Sequence, residues 1–210
     1  MGKMSNRDKI LTEGLKVVLG RGYVGASVRD IVEAAGVPQG SFTNHFKSKE
    51  TFALEVLDLY FGDVRVLIDR SLRNESLTPL TRLRAYVNAN NESVRTNGCL
   101  LGNFSAEATD HSEIIRRRLL EIYAELQGCI LACLKAAVEV GELPKDFRCE
   151  EMAPFVVSGL QGAILIAKTE RDLAPLKNFE KLLFSTILAA RNAPERGAPS
   201  SDDKCFPIMS

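Results

Sequence analysis

The polar run Gln39, Ser41, Thr43, Asn44 and His45 is interleaved with Phe42 and Phe46. A helix over 39–46 buries the two rings at i and i+4 and turns the amides, hydroxyls and imidazole outward. Such groups bond base edges and phosphates and make a poor core. Gln39, Ser41, Thr43 and Asn44 are the candidates for base edges, where one bidentate contact discriminates by about 1–3 kcal/mol. His45, Lys47 and Lys49 are the groups placed for phosphate. Ser27 and Arg29 open a second short helix just upstream, where free amides and a cation also suit a phosphate. The chemistry is recognition rather than bond-making.

The flanking residues must hold that run in place. Ser27 is a good N-cap, and Val28, Ile31, Val32 and Ala35 recur at helical spacing. Gly36 falls where a helix needs a left-handed residue to stop, and Pro38 where the next can begin. A first helix is predicted from about Ser5 to Arg21, with Ile10, Leu11, Leu15 and Val18 inward. Ser48 caps a fourth, Lys49 to about Arg73. Its apolar positions include Phe52, Val56, Leu57, Tyr60, Phe61, Val64 and Ile68, so it must pack on both sides and link two units. Further helices are predicted over 80–95, 99–108, from Asp110 or Ser112 to about Val140, 149–168 and 175–191. Inward positions of the long helix are Ile114, Leu119, Ile122, Tyr123, Leu126, Ile130, Leu134 and Val138. The next holds Phe155, Val156, Leu160, Ile164 and Ile166. The fold class is all-α: a three-helix helix-turn-helix unit over 5–66 and a helical body over 67–191. Residues 192–210, rich in Pro, Ser, Gly and charge, are expected to be disordered.

Charge agrees with one-ended binding of a polyanion. The 210-residue chain balances at +0, yet residues 1–50 hold eight Lys and Arg against five Asp and Glu. That end is therefore +3, and the remainder −3. No uninterrupted apolar stretch reaches the roughly 18 residues of a membrane span, and the N-terminus lacks a signal-like apolar core. Five cysteines with no such core suggest reduced thiols and a cytoplasmic setting. Two histidines make a metal site or cofactor unexpected.

Residues Met4 to about Leu67 resemble the N-terminal domain of the TetR family of one-component transcriptional repressors. The resemblance rests on Gly22, Tyr23, Ser27, Val28, Ile31, Ala34, Ala35, Gly36, Val37, Gly40, Ser41, Phe42, Phe46, Ser48, Lys49 and Glu50. It implies a regulator that binds double-stranded operator DNA, with Gly40 joining the DNA-binding set. Thr43 stands where the family usually has a tyrosine that grips a phosphate. The resemblance also implies a homodimer through the last two helices. Those helices are independently more apolar than a domain end can bury alone. Two headpieces would face half-sites of a roughly palindromic operator.

The segment Gly98 to Phe104 with Glu107 resembles a branch of the family that senses electrophiles, oxidants or small unsaturated acids. In that branch a cysteine at the place of Cys99 can be the reactive group. Physically, Cys99 falls at a helix N-terminus, which favours thiolate; a buried, inert thiol is the alternative. A non-covalent cavity among helices four to eight is the other sensor reading. Its candidate lining is Tyr60, Phe61, Asn103, Phe104, Glu107, Tyr123, Gln127, Phe155, Gln161 and Lys168, with a small-molecule inducer as partner. Two further readings stay open: a ligand-binding dimer with little DNA binding, and an enzyme using Cys99 with His111 as base.

Overall fold

The computed structural model describes residues 4–189, with 90–96 described by backbone alone. The expected disordered tail, Arg191 and Cys205 lie outside the described residues. Nine helices and no strand occur among the described residues. They are α1 Asn6–Gly25, α2 Val28–Ala34, α3 Gly40–His45, α4 Lys49–Arg70, α5 Pro79–Asn97, α6 Leu100–Glu107, α7 Glu113–Glu139, α8 Cys149–Glu170 and α9 Ala174–Leu182. A wider turn over Leu183–Ile187 extends α9, closed by the Leu188 N–H on the Leu183 carbonyl at 2.8 Å.

Local chemistry sets the helix starts. Ser5, Ser48 and Ser112 each accept a backbone N–H three residues on, and Ser27 forms a full capping box with Asp30. The Asp30 carboxylate is held down to about 2, by the Ser27 hydroxyl first, then the Ser27 amide and the Arg21 guanidinium. Gly36 takes φ 62°, so the turn between α2 and α3 needs the residue that lacks a Cβ.

Helices α1 to α3 form the headpiece, cored by Ile10, Val18, Ile31, Phe42, Phe46 and Phe52. Phe42, Phe46 and Phe52 meet as a ring triad, with centroids 5.3–5.5 Å apart. Helix α4 begins in that triad and ends against α7, whose other neighbours are α5, α6 and α8; α8 packs on α9. Helix α6 packs chiefly on α1, so the body reaches back to the headpiece. Arg65 of α4 and Glu125 of α7 pair in bidentate fashion at 2.8 and 2.7 Å.

One inward assignment is corrected, and α8 shows two large apolar side chains at its surface. Ile114 is 55% exposed and Ile115 is buried instead; Phe155 and Ile166 are 48% and 47% exposed. The bundle covers α8 through Ala153, Val156, Val157, Leu160, Ile164 and Ala167, and leaves the opposite face bare. By length and composition α8 also passes for a membrane span, which the interrupted sequence pattern did not suggest.

Candidate DNA-reading face and sensor cavity

The reading face starts from the ring triad. Phe42 and Phe46 face inward, so α3 presents Gln39, Gly40, Thr43, Asn44 and His45 to solvent, with Ser41 half-covered. Lys47 is exposed just beyond the helix. A Cβ at Gly40 would meet nothing within 4 Å, so backbone is open there. Thr43 donates its hydroxyl to the Gly40 carbonyl at 3.1 Å, which occupies the one group it could offer a phosphate. Ser27 donates its hydroxyl to Asp30 at 2.6 Å, and Arg29 pairs with Glu33 at 2.8 Å on an exposed surface. Surface pairs of this kind are worth little and yield readily to a phosphate.

Lys49 departs from the expected outward placement. Its ammonium lies 4.7 Å from the centroid of the Tyr23 ring and 3.5 Å from the Val24 carbonyl. Burial lowers its pKa, opposed by the charges of Glu107 and Asp30. It is turned into the seam between headpiece and body.

A cavity of about 420 Å³ opens between α6, α7 and α8. Cys99, Asn103, Glu107, Tyr123, Gln161 and Lys168 are among the residues that line it. Cys99 occupies the position just before α6 and is buried. Its sulfur accepts the Gln161 amide at 3.5 Å and the Tyr60 hydroxyl at 3.7 Å. Burial, with the nearby Cys99 next, drives the Tyr60 pKa far up, so that hydroxyl keeps its proton. Lys168 donates to Asn103 at 3.2 Å, and Asn103 donates to the Asn97 carbonyl at 3.2 Å. The Gln161 carbonyl oxygen is buried without a partner among the described residues. Ser105 also lines the cavity, its hydroxyl 3.1 Å from that of Tyr123, and Ala106, Ile164 and Leu165 supply apolar wall.

The other expected lining residues lie elsewhere. Tyr60 stands behind Cys99 rather than in the cavity. Phe61 is wholly buried, with Arg65 stacked 4.5 Å from its ring centroid. Phe104 is buried against Tyr23 of the headpiece, centroids 5.3 Å apart. Gln127 is half-buried on α7 and outside the cavity lining. Phe155 borders a separate groove with Phe147 and Met152. Sequence reasoning missed Gly98, Gly102 and Ala106, spaced by four, which open the α6 side for Gln161 and Lys168. That spacing of small residues was readable. His111 is exposed between α6 and α7, and the hydrogen-bond partners of the Cys99 sulfur are Tyr60 and Gln161.

A three-helix headpiece with an exposed polar α3, set on a helical body, defines a DNA-binding transcriptional regulator of the helix-turn-helix class. The profile of the bacterial regulatory proteins, tetR family, matches residues 10–56. That of the tetracyclin repressor-like C-terminal domain matches 79–183. The chain belongs to the TetR family of transcriptional regulators. It is 38% identical over 188 residues to the HTH-type transcriptional repressor DhaR of Mycobacterium sp. (strain GP1), covering 90% of this chain and 95% of that one. A crystal structure of a regulatory protein TetR from Rhodobacter sphaeroides superposes with TM-score 0.80 at 30% identity, over 84% of this chain and 95% of that one. The reduced form of E. coli NemR superposes with TM-score 0.78 at 25% identity, over 86% and 95%.

Proposed function

We propose that the chain is a homodimeric repressor, released from a palindromic operator when the α6–α7–α8 cavity is filled or Cys99 is modified. The cavity carries this reading: it gathers a thiol, the ammonium of Lys168 and the unpaired carbonyl of Gln161 in a hollow walled in part by Ala106, Ile164 and Leu165. The likeness to NemR, solved in a form called reduced, accords with a working thiol.

In this reading residues 5–66 are the headpiece and 67–191 the body, with the division falling inside the continuous helix α4. Gln39, Ser41, Thr43 and Asn44 approach base edges, and Ser27, Arg29, Gly40, His45 and Lys47 the backbone. Dimerisation uses the bare apolar face of α8 and α9, where Phe155, Leu165, Ile166 and Leu182 stand exposed. The protein works in the cytoplasm, where its operator is.

The test is a gel shift with DNA flanking the chain's own gene. A sequence-specific, salt-sensitive shift is expected. N-ethylmaleimide on Cys99 is expected to abolish the shift in the wild type and spare it in Cys99→Ser. Absence of any specific shift would end the repressor reading. Release that persists in Cys99→Ser would end the thiol.

A further inference from the structure

Glu107 belongs to two places at once. It closes the last turn of α6 and lines the sensor cavity, together with Asn103 one turn before it. Its carboxylate nevertheless lies in the headpiece, where it accepts the Val24 N–H at 3.2 Å across 83 residues of sequence.

The headpiece is shaped to receive it. Gly22 interrupts α1 with φ 78° and ψ 167°, a conformation open to a residue without a Cβ. A Cβ at that position would land on the Glu107 carboxylate oxygens. Two residues past the break, the Val24 N–H faces the body and meets that carboxylate. Lys49, at the start of α4, sits over the Tyr23 ring and feels the Glu107 charge. Tyr23 in turn packs on Phe104, one turn from Glu107. Three headpiece residues, Gly22, Val24 and Lys49, thus converge on one side chain of the cavity wall, and Tyr23 packs beside it on Phe104.

We infer that Glu107 is a positioning residue for DNA binding. Its carboxylate fixes the end of α1 and the start of α4 to α6, and so sets the angle at which α3 is offered to DNA. The inference rests on the cavity being the inducer site for its second half: a guest held against Asn103 and Glu107 touches the turn that carries this carboxylate and acts on the headpiece by shifting it. Filling the cavity and loosening the headpiece are then one event. Because both sites bias one contact, the coupling runs in either direction.

The test uses the full chain and a labelled duplex of the operator found by the gel shift, with affinity read by fluorescence anisotropy. Glu107→Ala is expected to weaken DNA binding about tenfold, inside the usual allosteric range, at unchanged dimer mass and melting temperature. Glu107→Gln keeps an acceptor for the Val24 N–H and is expected to recover most of the loss. Glu107→Met, equal in reach and lacking an acceptor, replaces the alanine variant if that one does not melt cooperatively. Unchanged or tighter binding without the acceptor overturns the inference, as does a glutamine variant no better than alanine.

A second arm alkylates Cys99 with N-ethylmaleimide and reads adduct by mass before the DNA titration. The wild type is expected to lose affinity, and Glu107→Ala to lose almost none beyond its initial deficit. Equal fold-losses overturn the link between cavity and latch. A fully alkylated wild type that still binds DNA sinks the cavity reading instead, while the first arm still decides the role of Glu107.

Discussion

Lys49 shows how a residue's type can mislead about its place. A lysine beside the reading helix invites a phosphate, yet its stem crosses the Tyr23 ring and its ammonium points at the Val24 carbonyl. Lys47, two residues earlier, is exposed and unconstrained by such neighbours. The two therefore separate in a salt titration of DNA binding. Lys47→Met is expected to lower the slope of log affinity against log salt by about 1 per site, as loss of one phosphate contact does. Lys49→Met is expected to weaken binding with the slope intact, because it loosens the seam and removes no counterion-releasing contact. Equal changes in slope would return Lys49 to the phosphate. Thr43 is the opposite case, since its position was readable and its fate was not. The outward face follows from Phe42 and Phe46, whereas the bond to the Gly40 carbonyl depends on the rotamer in the folded helix.

At the scale of elements, glycine separates packed faces from open ones. Gly14 of α1 faces the headpiece core, and a Cβ there would lie 2.5 Å from a ring carbon of Phe52 and 3.0 Å from an Ile31 methyl. Both neighbours are fully buried and held. Gly128 of α7 is exposed, with nothing within 4 Å of an added Cβ. Helix propensity favours alanine over glycine by up to about 1 kcal/mol at either position. Overpacking of about 1–3 kcal/mol opposes it at Gly14 alone. Thermal denaturation is expected to show Gly14→Ala below the wild type and Gly128→Ala above it. A matching rise in both would mean that the α1–α4 contact gives way freely. Helix starts were legible because a Ser cap and its third residue are close in sequence. Phase along a long helix was less so: Ile114 and Ile115 sit side by side at the stripe edge, and only the neighbour packed there chooses between them.

For the whole molecule, the bare face of α8 and α9 and the cavity between α6, α7 and α8 are adjacent, since Leu165 belongs to both. A dimer through this face would carry the two reading helices on one rigid block. Leu165→Glu is expected to halve the mass in light scattering and to weaken operator binding by at least an order of magnitude, because half-sites would then bind singly. A dimer that survives this charge places the interface elsewhere. Under the proposed function, release by an inducer would ask little: a 100-fold loss of affinity is about 2.7 kcal/mol of coupling, comparable to a few hydrogen bonds at one seam.

The sequence by itself determined the headpiece, the all-α class and the polar face of α3. Caps, turn glycines and i, i+4 apolar pairs act within one or two turns, so their consequences are local and can be read in order. It also placed Cys99 at a helix start and brought Asn103, Gln161 and Lys168 under suspicion as polar groups on apolar faces. Tertiary structure alone decided which of these share a cavity, for that depends on how α6, α7 and α8 meet across some seventy residues. It alone removed Phe61, Phe104 and Phe155 from the lining, because an aromatic ring fits a core, a seam or an open face equally well. And it alone joined Glu107 to Val24, a bond between residues 83 apart that no local rule encodes. Contacts of that reach exist only once the chain has folded and burial has fixed which surfaces face each other.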